Sequence, residues 1–400
     1  MEYLSNRVTQ MAESETLAMT RIVRELRAQG KDVINLSIGE PDFNTPEEVK
    51  DFAKQAIDEN WTHYPPVSGY PDLREAISKK FQRDNNLDYK PEQIVVSTGA
   101  KQSIYQAVMA LVNPGDEVII PAPFWVSYKE IVKVAEGKSV FIKTKLENDF
   151  KVTPQQLEEA ITERTKLIMF SSPYNPTGML YSRDELAGIA QVLARHQQVF
   201  ALSDEIYEHI NFAGRHESLA QFPDIRDRVI TINGVAKGFA MTGWRIGFLA
   251  AALPIAKACD KLQGQITSAT CSIAQKATVK AMETDPAASA DIIGMRNKFR
   301  ERRDIMFALL QEIPGMKVRL PQGAFYFFPE VSSYYGKKYG QYDIRNSNDL
   351  CMYLLYEANV ALVPGAAFGD DDCIRLSYAA SNEQLIEAMR RIKDALARLK

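Results

Sequence analysis

Cysteine is scarce in this chain, and the four that occur lie far apart. Cys259, Cys271, Cys351 and Cys373 form no CxxC pair. That excludes the spacing of a zinc or thiol-redox motif and fits a reduced, cytoplasmic protein with buried thiols. Histidine is equally rare. His63, His196, His209 and His216 make no HExxH-type pattern, so no metal site is expected. No apolar run approaches the ~18 residues that span a bilayer, and no membrane association is expected. The first residues, with Glu2, Arg7 and Glu13, lack the apolar stretch of a signal peptide. Positive charge is not in excess either: the formal net charge is −3, which argues against nucleic acid as a partner. Internal repeats and low-complexity tracts are missing as well.

What is present is an ordinary globular composition. With 46% hydrophobic residues over 400 positions, the chain can bury a large core, and its length suggests two domains. Short apolar strands recur at 94–98, 117–120, 139–144, 167–170, 199–203, 228–232 and 247–251, with helical stretches between most of them. That order reads as α/β. Thr45 is the expected N-cap of a helix over 46–60, and Pro71 opens another that runs to Asn85. A long helix within 287–313 leads to a second, smaller α/β unit. Its strands are expected at 316–320, 324–328, 360–363 and 373–378. Ser381-Asn382-Glu383-Gln384 reads as a capping box before the final helix.

The chemistry gathers where strands end. After the strand 228–232 comes Gly234-Val235-Ala236-Lys237, with Arg245 eight residues past the lysine. A lysine among small and apolar residues has a depressed pKa, and its neutral amine is a nucleophile for carbonyl condensation. Gly99-Ala100-Lys101 closes one strand and opens a helix, a turn whose free N–H groups suit a phosphate. Lys101 opposes the helix dipole there, a locally unfavourable choice of the kind that marks functional sites. Trp125, beyond a strand edge, serves either the core or a flat heteroaromatic ring. Asn175 sits in the rigid Ser171–Gly178 loop after another strand, where ligands of open α/β sheets bind. Asp204 ends an apolar strand and needs a positive charge, from the chain or from a ligand. Arg375 interrupts an apolar strand and calls for a carboxylate, again from the chain or from a ligand. Gly39, in Gly39-Glu40-Pro41-Asp42, lets backbone approach a ligand closely.

The segment from Gly234 to Gly247 resembles the cofactor-lysine signature of the class-I pyridoxal-phosphate aminotransferases, closest to the bacterial and plant-type aspartate aminotransferases. The resemblance runs from Gly39 to Arg375. One departure is Ala236, where many members have serine. The resemblance implies the following. Lys237 carries pyridoxal 5′-phosphate covalently and moves the substrate proton. Asp204 faces the ring nitrogen, Tyr207 and Asn175 the 3′-oxygen, and Trp125 the ring face. Gly99, Ala100, Lys101 and Arg245 hold the phosphate, with Tyr64 reaching that of a neighbouring subunit. Arg375, Asn175 and Gly39 hold the substrate α-carboxylate, and Lys101 a distal one. The arm residues Ala12-Glu13-Ser14 close over the site, with Ser14 touching the distal carboxylate.

The implied fold is a large domain built on a mostly parallel seven-stranded sheet sandwiched by helices, plus a smaller α/β domain. The expected boundaries are 1–45 for the arm and part of the small domain, 46–290 for the large domain and 291–400 for the small one. The implied assembly is a homodimer with shared active sites, acting on small amino acids and 2-oxo acids in the cytoplasm. The implied reaction is L-aspartate with 2-oxoglutarate, giving oxaloacetate and L-glutamate. Alternatives on the same fold are another substrate pair (prephenate/glutamate, aromatic or alanine) or a carbon–sulfur lyase. A non-catalytic binding module is disfavoured by the complete catalytic set.

Overall fold

The computed structural model describes residues 3–13 and 15–400. Its largest sheet has seven strands: β1 (Ile94–Ser97), β2 (Glu117–Ala122), β3 (Lys138–Lys143), β4 (Thr165–Ser171), β5 (Phe200–Asp204), β6 (Val229–Gly234) and β7 (Gly247–Ala250). They lie in the order β1-β7-β6-β5-β4-β2-β3. Only β7 runs against the rest; it is antiparallel to both β1 and β6.

The central strands are continuous apolar runs because both faces are covered. Along β4, Leu167 and Met169 point to one side, where they pack with Val118, Leu202 and Ile230. Ile168 and Phe170 point to the other, with Ile119, Ala201 and Phe248. Four helices matter to the site: α1 (Glu15–Ala28), α2 (Pro71–Lys80), α3 (Ala100–Leu111) and α4 (Ser127–Val134). α3 and α4 cover the first face through Ile104, Val108, Tyr128 and Val132. α2 covers the second through Leu73 and Ile77, beside helices Arg183–Arg195 and Ser272–Glu283. After Lys80 the helix widens into a π-type turn, Phe81–Asn85, and stops at Asn86 in left-handed backbone (φ 56°).

A separate apolar cluster belongs to the C-terminal third. There β8 (Tyr326–Phe327), β9 (Val363–Pro364) and β10 (Ile374–Ser377) form an antiparallel sheet in the order β9-β10-β8. Helices Ala290–Gln311 and Asn382–Leu396 pack on it through Phe299, Met306, Leu385 and Ile392. The N-terminal segment joins this unit: Ile34–Asn35 pairs in parallel with Val360–Ala361.

Three local expectations are corrected. Residues 316–320 are not a strand. Only Lys317 bridges to Glu330, because Gly315 at φ +90° and Pro321 bound the run. Thr45 caps no helix: Pro46 takes the N-cap position, and the Thr45 hydroxyl donates to the Ala240 carbonyl (2.9 Å). The helix from Pro71 gives way to the π-type turn after Lys80. Ser381 does cap the last helix, accepting from Gln384 N–H (3.3 Å).

Candidate active site

The C-terminal ends of β1, β2, β4, β5 and β6 share one edge of the sheet. Because β7 is reversed, Arg245, two residues before it, comes to that same edge. The closest packing is where β1 turns into α3. Gly99 has φ +82°, and a Cβ there would lie 2.4 Å from the Arg245 guanidinium. A Cβ on Gly247 would fall 2.1 Å from the Ala100 nitrogen. Only glycine permits both approaches. The result sets the unpaired N–H groups of the α3 start beside a guanidinium, an arrangement that attracts a phosphate. Arg245 donates to the Thr242 carbonyl (2.8 Å). The Lys101 ammonium lies 5.0 Å over the Trp125 ring, and burial with the nearby Arg245 charge lowers its pKa.

Asp204, at the end of β5, is buried. It accepts from the Tyr128 hydroxyl of α4 (3.0 Å) and from Ile206 N–H (3.3 Å). Among the described residues no cation lies within ion-pair distance of it. Burial pushes its pKa up to about 6, against the pull of those two hydrogen bonds. Across the cavity, the Lys237 amine donates to the Gly39 carbonyl and lies 5.7 Å over the Tyr207 ring. Burial lowers its pKa to about 8; Arg375 and Arg245 add to this, while Glu40 and Asp204 oppose it. About a tenth of the amine is therefore neutral at pH 7, far more than for an ordinary lysine. The Tyr207 hydroxyl meets that of Tyr326 at 2.8 Å, and burial raises its pKa well above the usual 10.

Arg375, on β10, is buried between the rings of Tyr326 (4.5 Å) and Phe368 (4.9 Å). It donates to Asn175 Oδ1 (3.0 Å) and to the Ser37 carbonyl (2.7 Å). No Asp or Glu among the described residues pairs with it, and its Nε has no partner. A guanidinium only donates, so the Asn175 oxygen must face it and the amide NH2 is left for a ligand. A buried arginine with no acid partner has the chemistry to seat a carboxylate.

These groups surround one cavity of about 300 Å³. Gly39, Ala100, Lys101, Trp125, Asn175, Asp204, Tyr207, Lys237, Arg245 and Arg375 all line it. Gly99 lies just behind, against Arg245. Tyr64 is elsewhere, 96% exposed on a loop beside residues 269–272. Of the arm, the Ala12 N–H bonds Glu130 of α4 (3.2 Å). Ser14 lies outside the described residues. Thr16 and Leu17 of α1, Tyr128, Ser171, Thr242 and Tyr326, none of which stands out as a site residue in the sequence, also bound the cavity or hold its members. Tyr326 lies in the continuous buried run Phe325-Tyr326-Phe327-Phe328, and that pattern carries no hint of a hydroxyl facing a site.

A family model described as aminotransferase class I and II matches residues 31–392. Among curated relatives, the bifunctional aspartate aminotransferase and glutamate/aspartate-prephenate aminotransferase of Petunia hybrida is 48% identical over 99% of this chain and 83% of its own length. The aspartate/prephenate aminotransferase of Cereibacter sphaeroides is 46% identical over 98% of each chain. Among solved structures, an aspartate aminotransferase from Rhizobium meliloti superposes with a TM-score of 0.96 at 41% identity, covering 100% of both chains. The Thermus thermophilus aspartate aminotransferase with maleate gives 0.92 at 39% identity, covering 99% of this chain and 100% of the other.

Proposed function

Because this chain belongs to the aminotransferase class I and II family, we propose that it transfers the amino group of L-aspartate to 2-oxoglutarate, with pyridoxal 5′-phosphate as cofactor. The observation that carries this reading is the opposition, in one cavity, of the Lys237 amine with its pKa lowered to about 8 and the buried Asp204 carboxylate, which has no cation within ion-pair distance among the described residues. An aldehyde-bearing ring with a basic nitrogen satisfies both. The glycine-lined turn at the α3 start, with Arg245 against it, fits the phosphate of that group.

Lys237 would hold the cofactor covalently. Asp204 would pair with its ring nitrogen, Tyr207 and Asn175 would bond its 3′-oxygen, and Trp125 would cover its ring. The backbone of Gly99, Ala100 and Lys101, with the Arg245 guanidinium, would bind its phosphate. When bound, the cofactor supplies a sink for the electron pair left at the substrate Cα. The chain supplies the rest. Arg375 would grip the α-carboxylate through two N–H groups, with Asn175 and Gly39 beside it, and so set the angle of the Cα–H bond. Once the substrate amine has taken its place on the cofactor, the freed Lys237 Nζ would take the proton from Cα and return it at the other end of the proton shift, as base and then acid. One site serves both half-reactions, so ping-pong kinetics are expected.

Lys101 is the proposed anchor of the distal carboxylate. Its ammonium stands over Trp125 at the cavity rim, and a relative's structure was solved with maleate, a dicarboxylate. A panel of amino donors with 2-oxoglutarate tests this on the wild type and on Lys101→Ala. Aspartate should lead, and the variant should lose aspartate far more than alanine. Equal losses would refute the role. The names of relatives favour a second reading, in which prephenate is an additional amino acceptor; adding it to the same panel decides.

The assembly proposed is a homodimer in which Tyr64 serves the phosphate of the neighbouring site; its near-complete exposure supports this. The division into 1–45, 46–290 and 291–400 is supported by the separate apolar clusters of the two sheets. No helix among the described residues is long and apolar enough to cross a membrane. Four free cysteines support a reducing compartment, and we place the enzyme in the cytoplasm.

A further inference from the structure

Behind Asp204 and Tyr207, away from the cavity, the same short turn buries a second set of charges. Glu205 is completely buried, and its carboxylate is fully engaged. Oε1 accepts from the hydroxyls of Ser203 (2.9 Å) and Ser218 (2.7 Å), and Oε2 meets His216 Nε2 at 2.9 Å. Glu208, also buried, pairs with the Lys80 ammonium and accepts from Asn85 Nδ2 (2.9 Å). Lys80 ends α2, and Asn85 comes from the widened turn that follows. Residues 204 and 207 thus face the cavity, while 205 and 208 face this interior network.

The charges pair off in a definite way. Glu208 has Lys80, which is 1% exposed, and Asp84 has Arg83 (2.6 Å). His209 also approaches Glu208 (3.2 Å), but burial lowers its pKa and favours its neutral form. Among the described residues, Glu205 is left with His216 as its one ion-pair partner. The proton on His216 therefore decides whether a buried carboxylate, one residue from Asp204, is compensated. Glu205, Glu208 and His216 do present ligand-type atoms within 4.8 Å of one another. The Lys80 ammonium already supplies the cation at Glu208, however.

We propose that His216 is a positioning residue for Asp204. As an imidazolium on Glu205 it cancels the buried charge next door and so keeps Asp204 ionised toward a cationic ring nitrogen. The inference rests on the cofactor reading above. Burial by itself would lower the His216 pKa; the Glu205 carboxylate, its hydrogen bond and Glu208 outweigh this against the opposing Lys80 charge, and the pKa ends above the ordinary value. Glu205, for its part, raises the pKa of Asp204. His216 Nδ1 has no hydrogen-bond partner among the described residues, so the surrounding carboxylates alone hold the charge.

The test is a charge cycle in the full chain: wild type, His216→Gln, Glu205→Gln and the double variant. The dissociation constant of pyridoxal phosphate is read by absorbance titration at pH 5, below the Asp204 pKa of about 6, where the ionised fraction follows that pKa in proportion. His216→Gln strands the Glu205 charge and should weaken binding about tenfold, the equivalent of one pKa unit at Asp204. Glu205→Gln, which lets His216 go neutral, should stay within about threefold of wild type. The double variant should return to that range, because both charges leave together. A double variant as weak as His216→Gln would mean that His216 merely props the structure, and would overturn the proposal.

A second measurement needs no variant. The His216 imidazole, followed by NMR in the wild-type protein, should titrate above the ordinary value of about 6.5; a midpoint at or below it overturns the proposal even if His216→Gln fails to fold. Wild-type protein that binds no pyridoxal phosphate would sink the cofactor reading instead, and the imidazole titration would still judge the charge on His216.

Discussion

Asp204→Asn should stabilise the cofactor-free protein while it removes catalysis. The carboxylate has two hydrogen-bond donors, the Tyr128 hydroxyl and Ile206 N–H, and no cation within ion-pair distance among the described residues. Burial moves its pKa from 3.8 to about 6. That gap of about 2 units makes ionisation in the folded chain cost about 3 kcal/mol more than in the unfolded one. The sign follows from the folded value being the higher. The penalty is absent below pH 4, grows between pH 4 and 6, and is complete above 6. Asparagine carries no charge and still accepts from Tyr128, but it cannot also accept from Ile206, a loss of about 1 kcal/mol. The net expectation is about 2 kcal/mol of stabilisation at pH 8 and a loss of about 1 kcal/mol near pH 4. Urea unfolding of the full chain, stripped of cofactor, measures both. The change of sign between the two pH values is the signature. A variant that is less stable than wild type at pH 8 would refute the argument that Asp204 lacks a compensating charge.

Lys237→Ala should abolish transamination, and borohydride treatment followed by peptide mass mapping should tag position 237 in the wild type only. Arg375→Lys keeps the charge but loses the two-pronged grip, so kcat/KM for aspartate should fall by about 30- to 100-fold, the equivalent of one or two charge-assisted hydrogen bonds; an unchanged value would remove Arg375 from the α-carboxylate. Gly99→Ala puts a Cβ at 2.4 Å from Arg245 in left-handed backbone, and should weaken pyridoxal phosphate binding by about tenfold or more in an absorbance titration.

The large sheet was legible in the sequence because strands buried on both faces leave unbroken apolar runs such as Leu167–Phe170. The polar residues that gather round the cavity were legible where a polar side chain breaks such a run: Asp204 after Leu202-Ser203, Arg375 between Ile374 and Leu376, Lys237 after a string of small residues. What stayed hidden depends on segments far apart in the chain. Tyr128 reads as an ordinary helix aromatic until the fold lays its hydroxyl on Asp204, 76 residues away. Thr45 has the local signature of a cap, yet a carbonyl 195 residues on takes its hydroxyl instead. Residues 316–320 have strand-like composition but find only a one-residue partner. The sequence left two partners open for Arg375, an acid of the chain or one from a ligand. In the folded chain it meets an amide and a carbonyl instead of a carboxylate.

The lone strand that runs backwards has a geometric consequence. Between β6 and β7 the chain never crosses the sheet; residues 235–246 double back along a single edge. The lysine and the arginine therefore ride on one tight connection, each a few residues from a neighbouring strand. The span between these two cations is set by a hairpin anchored at Gly234 and Gly247, whose backbones sit in contact. Lengthening that connection by even one residue would move both ends of any ligand that bridges them, whereas insertions in the crossovers between parallel strands would leave the span untouched.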